Sequence, residues 1–335
     1  MAPSFSDILS ASKRLAGKAS RTPVLESPSL NERLGTRVLI KAETLQKTGS
    51  FKFRGAYHFL SRLDDTQRKA GVVAYSSGNH AQAVACAAQQ FGCSAWIVMP
   101  KDAPTIKIRN TQEYGATVIQ YDRRTQSREA IAESVAQEFG CTVIPPFDHP
   151  HIIAGQGTVA LEFIQQLHEL GVTPHAFLAP ISGGGLMAGC ALAFKALSPE
   201  TRLYAVEPEG YDDLYQSLQA GTHRSITPSQ PSICDALLLP RTGKLTFPIL
   251  QSSLSGGLTV TDQEIQQAMR FAFEHLKLVV EPGGAAALAA LLSGRLDCQG
   301  KPVGIVLSGA NVDDARFAEW IQAGNPLALN ACPAS

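Results

Sequence analysis

Short runs of β-branched and aliphatic residues recur along this chain, with longer amphipathic stretches between them. That alternation constrains the fold more than any other feature. Parallel strands cannot be joined by tight hairpins, so each needs a crossover of a dozen or more residues, most often a helix. Eight strand-like runs are visible: Val38–Ile40, Gly71–Tyr75, Ala95–Met99, Thr117–Ile119, Thr142–Ile144, Ala176–Ala179, Leu203–Val206 and Val303–Leu307. Ala81–Phe91, Ser127–Phe139 and Glu264–Leu276 read as helices. The expectation is an α/β chain of parallel sheets flanked by helices.

At 335 residues the chain exceeds one comfortable core, which predicts two lobes. Four of the runs fall between Gly71 and Ile144, so a small domain is expected over 61–149, with 1–60 and 150–335 forming a large one. The end of the chain, Ala328–Ser335, is expected to fray.

Composition removes several classes of function. The 29 basic residues balance 29 acidic ones and no basic stripe is present, which argues against nucleic acid as a partner. The start, Met1-Ala2-Pro3-Ser4-Phe5, lacks the features of a signal peptide, and no apolar run is long enough to span a bilayer. Seven cysteines, Cys86, Cys93, Cys141, Cys190, Cys234, Cys298 and Cys332, are scattered without a Cys-x-x-Cys pair. Reduced thiols and a cytoplasmic location are the expectation, with no membrane partner.

Four segments carry chemistry. In Thr48-Gly49-Ser50-Phe51-Lys52-Phe53-Arg54-Gly55-Ala56, a lysine sits between a polar turn and a helix-forming stretch, flanked by two phenylalanines. Apolar neighbours that exclude water favour the neutral amine, a nucleophile suited to forming a Schiff base. Ser76-Ser77-Gly78-Asn79-His80 follows a strand and opens a helix, where hydroxyls and amides can hold a carboxylate or simply cap the helix. Ser182-Gly183-Gly184-Gly185-Leu186 also lies between strand and helix. It matches neither the dinucleotide fingerprint nor a P-loop, yet its glycines let successive amides point at one anion. Leu307-Ser308-Gly309-Ala310-Asn311 ends the last strand, at the edge where open α/β sheets bind ligands.

With these segments in this order, the chain resembles the fold-type II pyridoxal-phosphate enzymes, a two-lobed architecture like that of the tryptophan synthase β chain. Within them it looks most like the serine/threonine dehydratase and serine racemase group. Ala154-Gly155-Gln156-Gly157-Thr158, Glu207-Pro208-Glu209, Ser232-Ile233-Cys234-Asp235 and Glu281-Pro282-Gly283-Gly284 extend the likeness over nearly the whole chain. Ser182, where many relatives have a fourth glycine, and Ala81, where many have glycine after the histidine, depart from the pattern.

The resemblance implies roles for particular residues. The large domain would bind pyridoxal 5'-phosphate and the small one would move. Lys52 would be the Schiff-base lysine and then the acid or base on one face, with Ser77 opposite. Asn79 would meet the ring hydroxyl, Gly183, Gly184, Gly185 and Leu186 the phosphate, and Ser308 the ring nitrogen. Ser76, Ser77, Asn79 and His80 would hold the substrate carboxylate. Glu207, Asp213 and the carbonyl of Tyr211 match a Mg²⁺ or Ca²⁺ site.

Arg128 reads as a solvated helix charge, but its position resembles an arginine that meets a second substrate carboxylate. Gln82, Lys107 and Tyr114 match positions linked to nucleotide activation. The implied activity is β-elimination of water from L-threonine or L-serine, giving a 2-oxo acid and ammonia. Serine racemase and 3-hydroxyaspartate dehydratase are the alternatives, and a homodimer is expected for the family.

Overall fold

The computed structural model describes residues 2–228 and 230–324. The expected frayed end and Cys332 lie outside the described residues. Among the described residues ten strands form two sheets: β1 (Val24–Leu25), β2 (Val38–Ala42), β3 (Val72–Tyr75), β4 (Ala95–Pro100), β5 (Thr117–Tyr121), β6 (Thr142–Ile144), β7 (Ala176–Pro180), β8 (Arg202–Pro208), β9 (Gly256–Val260) and β10 (Val303–Leu307). The larger sheet has the order β1-β2-β10-β7-β8-β9 and the smaller β5-β4-β3-β6. Every pairing is parallel except that of β1 with β2.

The continuous apolar runs become strands buried on both faces. In β2, Leu39 joins one core while Val38 and Ile40 join the other; in β7, Phe177 and Ala179 part from Ala176 and Leu178 in the same way. This period-two partition gives a parallel sheet two apolar faces, each needing a helical layer. The small sheet repeats the pattern, with Val72, Ala74 and Ile97 on one side and Val73 and Val98 on the other.

All eight expected strands form. Two elements carry no usable sequence signal: β1 is two residues long, and β9 opens on Gly256-Gly257, which reads as a turn. The helix expected over Glu264–Leu276 runs from Asp262 to Phe271 and continues as a π-helical turn to Leu276. Helix Pro282–Leu292 is buried at every residue, so it has no amphipathic period to read.

Helix Pro150–Glu169 is the structural centre of the site. A Cβ at Gly155 would lie 2.6 Å from Gly55 Cα, and one at Gly157 would lie 2.8 Å from the Gly189 carbonyl oxygen. One helix thus meets the backbone of helix Lys52–Leu60 on one side and of Gly185–Leu197 on another. The spacing between the lysine and the glycine turn is set through these two contacts.

A buried ionic cluster fixes the opposite face of the lysine helix. Arg54 donates through Nε and Nη2 to the Glu43 carboxylate at 2.8 and 2.7 Å, and through Nη1 to Glu162 at 3.2 Å. Lys41 Nζ donates to Glu162 at 2.5 Å and to Gln166 at 2.7 Å. Burial pushes the Glu43 carboxyl up, but the facing guanidinium more than offsets this and holds it below the usual range.

Candidate active site

The turn before Lys52 is held in an unusual conformation. Thr48 has φ 61°, a left-handed geometry that β-branched residues seldom adopt. Its carbonyl accepts from Asn311 Nδ2 at 2.7 Å, Gly49 O accepts from Ala310 N at 2.9 Å, and Phe51 N donates to Ser308 O at 3.1 Å. The turn is therefore tied to the carboxyl end of β10, and Lys52 starts its helix beside Ser308.

Lys52 opens into a cavity of about 190 Å³ whose lining includes Phe51, Ser76, Ser77, Asn79, His80, Gly183, Gly184, Gly185, Leu186 and Ser308. Its amine donates to Pro146 O at 2.8 Å and lies 5.3 Å from the centre of the Phe51 ring. The side chain is half-buried. Loss of solvent lowers the amine pKa to about 8, and the nearby Glu281 carboxylate only partly opposes the shift. Phe51 lies against the amine, whereas Phe53 is fully buried in the core.

The Ser76–His80 segment lines the cavity rather than capping its helix: the N-cap is Gly78, with no side-chain cap bond. Ser76 Oγ accepts from Gly78 N at 3.1 Å. Asn79 donates through Nδ2 to Glu281 and accepts at Oδ1 from Asn311 Nδ2 at 2.9 Å, which fixes the orientation of its amide. His80 Nε2 lies 3.1 Å from Ile144 O, an oxygen that only accepts, so that nitrogen carries the proton. Burial, reinforced by Lys52, lowers the His80 pKa to about 3, so the ring is neutral and Nδ1 is left buried without a partner.

Across the cavity, Gly184 has φ 92°, and a Cβ there would lie 2.8 Å from Thr246 Oγ1. Helix Gly185–Leu197 follows without a capping side chain, starting inside the glycine run itself. Its first amides and the positive end of its dipole face the cavity that Lys52 enters. An uncapped helix start fits a phosphate, and Ser308 supplies a neutral hydroxyl elsewhere on the wall. These residues suit pyridoxal phosphate. The departure at Ser182 has a local use, since its Oγ accepts from Leu239 N at 3.3 Å.

Arg128 differs from the solvated helix charge read from sequence. Ser127 caps helix Arg128–Phe139, accepting from Ala130 N at 3.2 Å, and Arg128 lines the cavity. Several wall residues were not expected at the cavity from the sequence: Tyr75, Lys107, Arg123, Asp235 and Glu281. Lys107 is buried, 2.7 Å from Asp235 and 3.2 Å from Glu281, and these acids hold its pKa above the usual range despite burial. Gln82 is buried too, accepting from Asn110 Nδ2 at 3.1 Å, while Tyr114 is half-buried. Lys107, one of the expected nucleotide contacts, is thus an internal tie between lobes. Tyr75 had a positional signal, as the last residue of a strand leading into the serines, and Asp235 and Glu281 lie in motifs legible only by likeness.

Glu207 and Asp213 are both fully buried. Glu207 accepts from Leu214 N and Tyr215 N at 2.9 and 2.8 Å, and Asp213 Oδ2 accepts from Thr242 N at 2.7 Å. Asp213 Oδ1 is buried with no partner. Burial, then the Asp213 charge, pushes the Glu207 carboxyl up; burial brings Asp213 to about 7. Two adjacent buried carboxylates with an orphaned oxygen suit a hard cation. Among the described residues no group of three or more His, Cys, Asp or Glu comes together, so carbonyl and water oxygens must complete such a shell. The six described cysteines are free and buried, and no described helix is long and apolar enough to cross a membrane.

Comparison with known proteins agrees with this geometry. The family model described as pyridoxal-phosphate dependent enzyme matches residues 15–309. The L-threo-3-hydroxyaspartate ammonia-lyase of Pseudomonas sp is 47% identical over 320 residues, covering 95% of this chain and 98% of that one. Maize serine racemase superposes with a TM-score of 0.90 at 40% identity, covering 96% and 98% of the two chains. The serine racemase of Dictyostelium discoideum gives 0.85 at 38% identity, covering 93% and 99%. With a lysine and an uncapped glycine turn facing one cavity, and a match over residues 15–309, this protein is a member of the pyridoxal-phosphate-dependent enzyme family.

Proposed function

We propose that the protein removes the β-hydroxyl of a small hydroxy amino acid, releasing a 2-oxo acid and ammonia. Among threonine, serine and 3-hydroxyaspartate, we take the last as the best substrate. The observation that carries this choice is Arg128 in the same cavity as Lys52 and Ser77: a guanidinium fork matches a second carboxylate, which threonine and serine lack. Similarity to the Pseudomonas hydroxyaspartate ammonia-lyase supports it.

When bound, pyridoxal phosphate supplies an aldehyde for amines and a conjugated ring that delocalises electrons from the substrate α-carbon. The chain does the rest. Amides of Gly183, Gly184, Gly185 and Leu186 hold the phosphate. Asn79, its amide fixed by Glu281 and Asn311, meets the ring hydroxyl. Ser308 would offer the ring nitrogen a neutral hydroxyl rather than a carboxylate. Lys52 Nζ takes the α-proton; with a pKa of about 8, a useful fraction is free base near neutral pH. Ser76, Ser77, Asn79 and neutral His80 bind the α-carboxylate. Glu207, Asp213 and the Tyr211 carbonyl hold Mg²⁺ or Ca²⁺.

A second reading, racemisation of serine, is favoured by the Ser77 hydroxyl in the same cavity, a proton donor for the face opposite Lys52. One experiment separates the readings: 2-oxo acid and D-serine are assayed with each of the three substrates, in wild type and Ser77→Ala. The expected result is the highest kcat/KM for L-threo-3-hydroxyaspartate, with elimination persisting in Ser77→Ala at a raised KM and any D-serine lost. Oxo acid from threonine or serine only would refute the choice of substrate; D-serine as the main product would make the protein a racemase.

A further inference from the structure

The cavity wall carries three cations besides Lys52, and their pairing differs. Lys107 is held by Asp235 and Glu281, and Arg123 by Asp102 at 2.9 Å. Among the described residues, the one ionic partner of Arg128 is its own neighbour, Glu129, reached through Nε at 2.8 Å. Its two terminal nitrogens donate to nothing among the described residues. A cation at the first turn of a helix also runs against the dipole, and within its own helix only the exposed Glu129 offsets this.

Tyr75 places it. The Arg128 guanidinium carbon lies 5.3 Å from the centre of the Tyr75 ring. Tyr75 is the last residue of β3, directly before Ser76 and Ser77, and packs against the core on one side of the small sheet. Its ring therefore moves little relative to the serines. Its hydroxyl makes no hydrogen bond among the described residues, which leaves the ring face as the part in use. A guanidinium seated on a ring face keeps its terminal N–H groups free for a carboxylate.

We infer that Tyr75 is a positioning residue for substrate choice: its ring seats Arg128 so that the free terminal nitrogens receive a carboxylate on the substrate β-carbon. This rests on the proposed preference for a dicarboxylic substrate. The β-carboxylate is read through the ring seat, while the α-carboxylate is read separately at Ser76–His80.

L-aspartate and L-alanine differ by that β-carboxylate and carry no hydroxyl to expel, so their affinities can be measured by calorimetry on the holoenzyme without elimination. Wild type should bind aspartate more tightly. Tyr75→Leu should weaken aspartate by about tenfold and leave alanine unchanged, whereas Tyr75→Phe should keep the wild-type ratio. Steady-state kinetics should agree: in Tyr75→Leu, KM for L-threo-3-hydroxyaspartate rises while kcat stays within about twofold. Tyr75→Met replaces the leucine variant should that one fail to fold. A wild type that prefers aspartate beside a Tyr75→Leu that keeps the preference overturns the role of Tyr75 and leaves the substrate reading intact. A wild type without preference overturns both. Loss in Tyr75→Phe as well would assign the effect to the hydroxyl and overturn the ring seat.

Discussion

At the residue scale, the chemistry rests on charges placed where burial changes their behaviour. Loss of solvent lowers the Lys52 amine to about 8, while Lys107, more deeply enclosed, stays charged because two acids face it. Asp213 and Glu207 form no ion pair among the described residues, so the folded protein favours a shared proton or a bound metal. The pH dependence follows. With Asp213 raised to about 7, the folded state binds more protons than the unfolded one between its ordinary value of 3.8 and 7. Stability of the metal-free protein therefore falls as pH rises through that window. Treatment with EDTA should lower the thermal midpoint more at pH 8 than at pH 5.5, with Mg²⁺ or Ca²⁺ restoring it. Equal shifts at both pH values, or none, would argue against a cation there. The sequence shows these acids but not their burial, which depends on strand β8 meeting the turn after it.

Elements explain both what the sequence reveals and what it hides. Runs such as Ala176–Ala179 and Val303–Leu307 are legible because a strand buried on both faces must be apolar throughout. Helix Pro282–Leu292 is hidden for the same reason, as it too is apolar on all sides. Contacts distant in sequence, such as Arg54 with Glu162 or Asn79 with Glu281, have no local signature, and the seating of Arg128 on Tyr75 is of that kind. The Ala154–Thr158 motif, legible only by likeness, has a physical meaning: its glycines let one helix touch two others at backbone distance. Gly155→Ala forces a Cβ to within 2.6 Å of Gly55 Cα and 2.8 Å of the Arg54 carbonyl oxygen, and backbone cannot yield as a side chain would. The expected cost is about 1–3 kcal/mol in denaturant unfolding, with weaker affinity for pyridoxal phosphate as the lysine helix shifts. An unchanged midpoint and affinity would show that this contact does not set the lysine's position.

In the whole molecule, a six-stranded and a four-stranded sheet supply opposite walls of one cavity. Ser308 follows β10, the glycine turn follows β7, and the serines follow β3. The ligand site thus lies at strand carboxyl ends, as open α/β sheets require. Cross-lobe bonds, including Lys107 to Asp235 and Ile106 N to Asp313 Oδ1 at 3.0 Å, join the walls beside it. Everything in the account converges on the Lys52 amine. The direct test is borohydride reduction of the protein incubated with pyridoxal phosphate, followed by proteolysis and mass mapping. The account predicts one pyridoxyl adduct, on Lys52, and none in Lys52→Ala. An adduct on another lysine, or none in the wild-type protein, would contradict it.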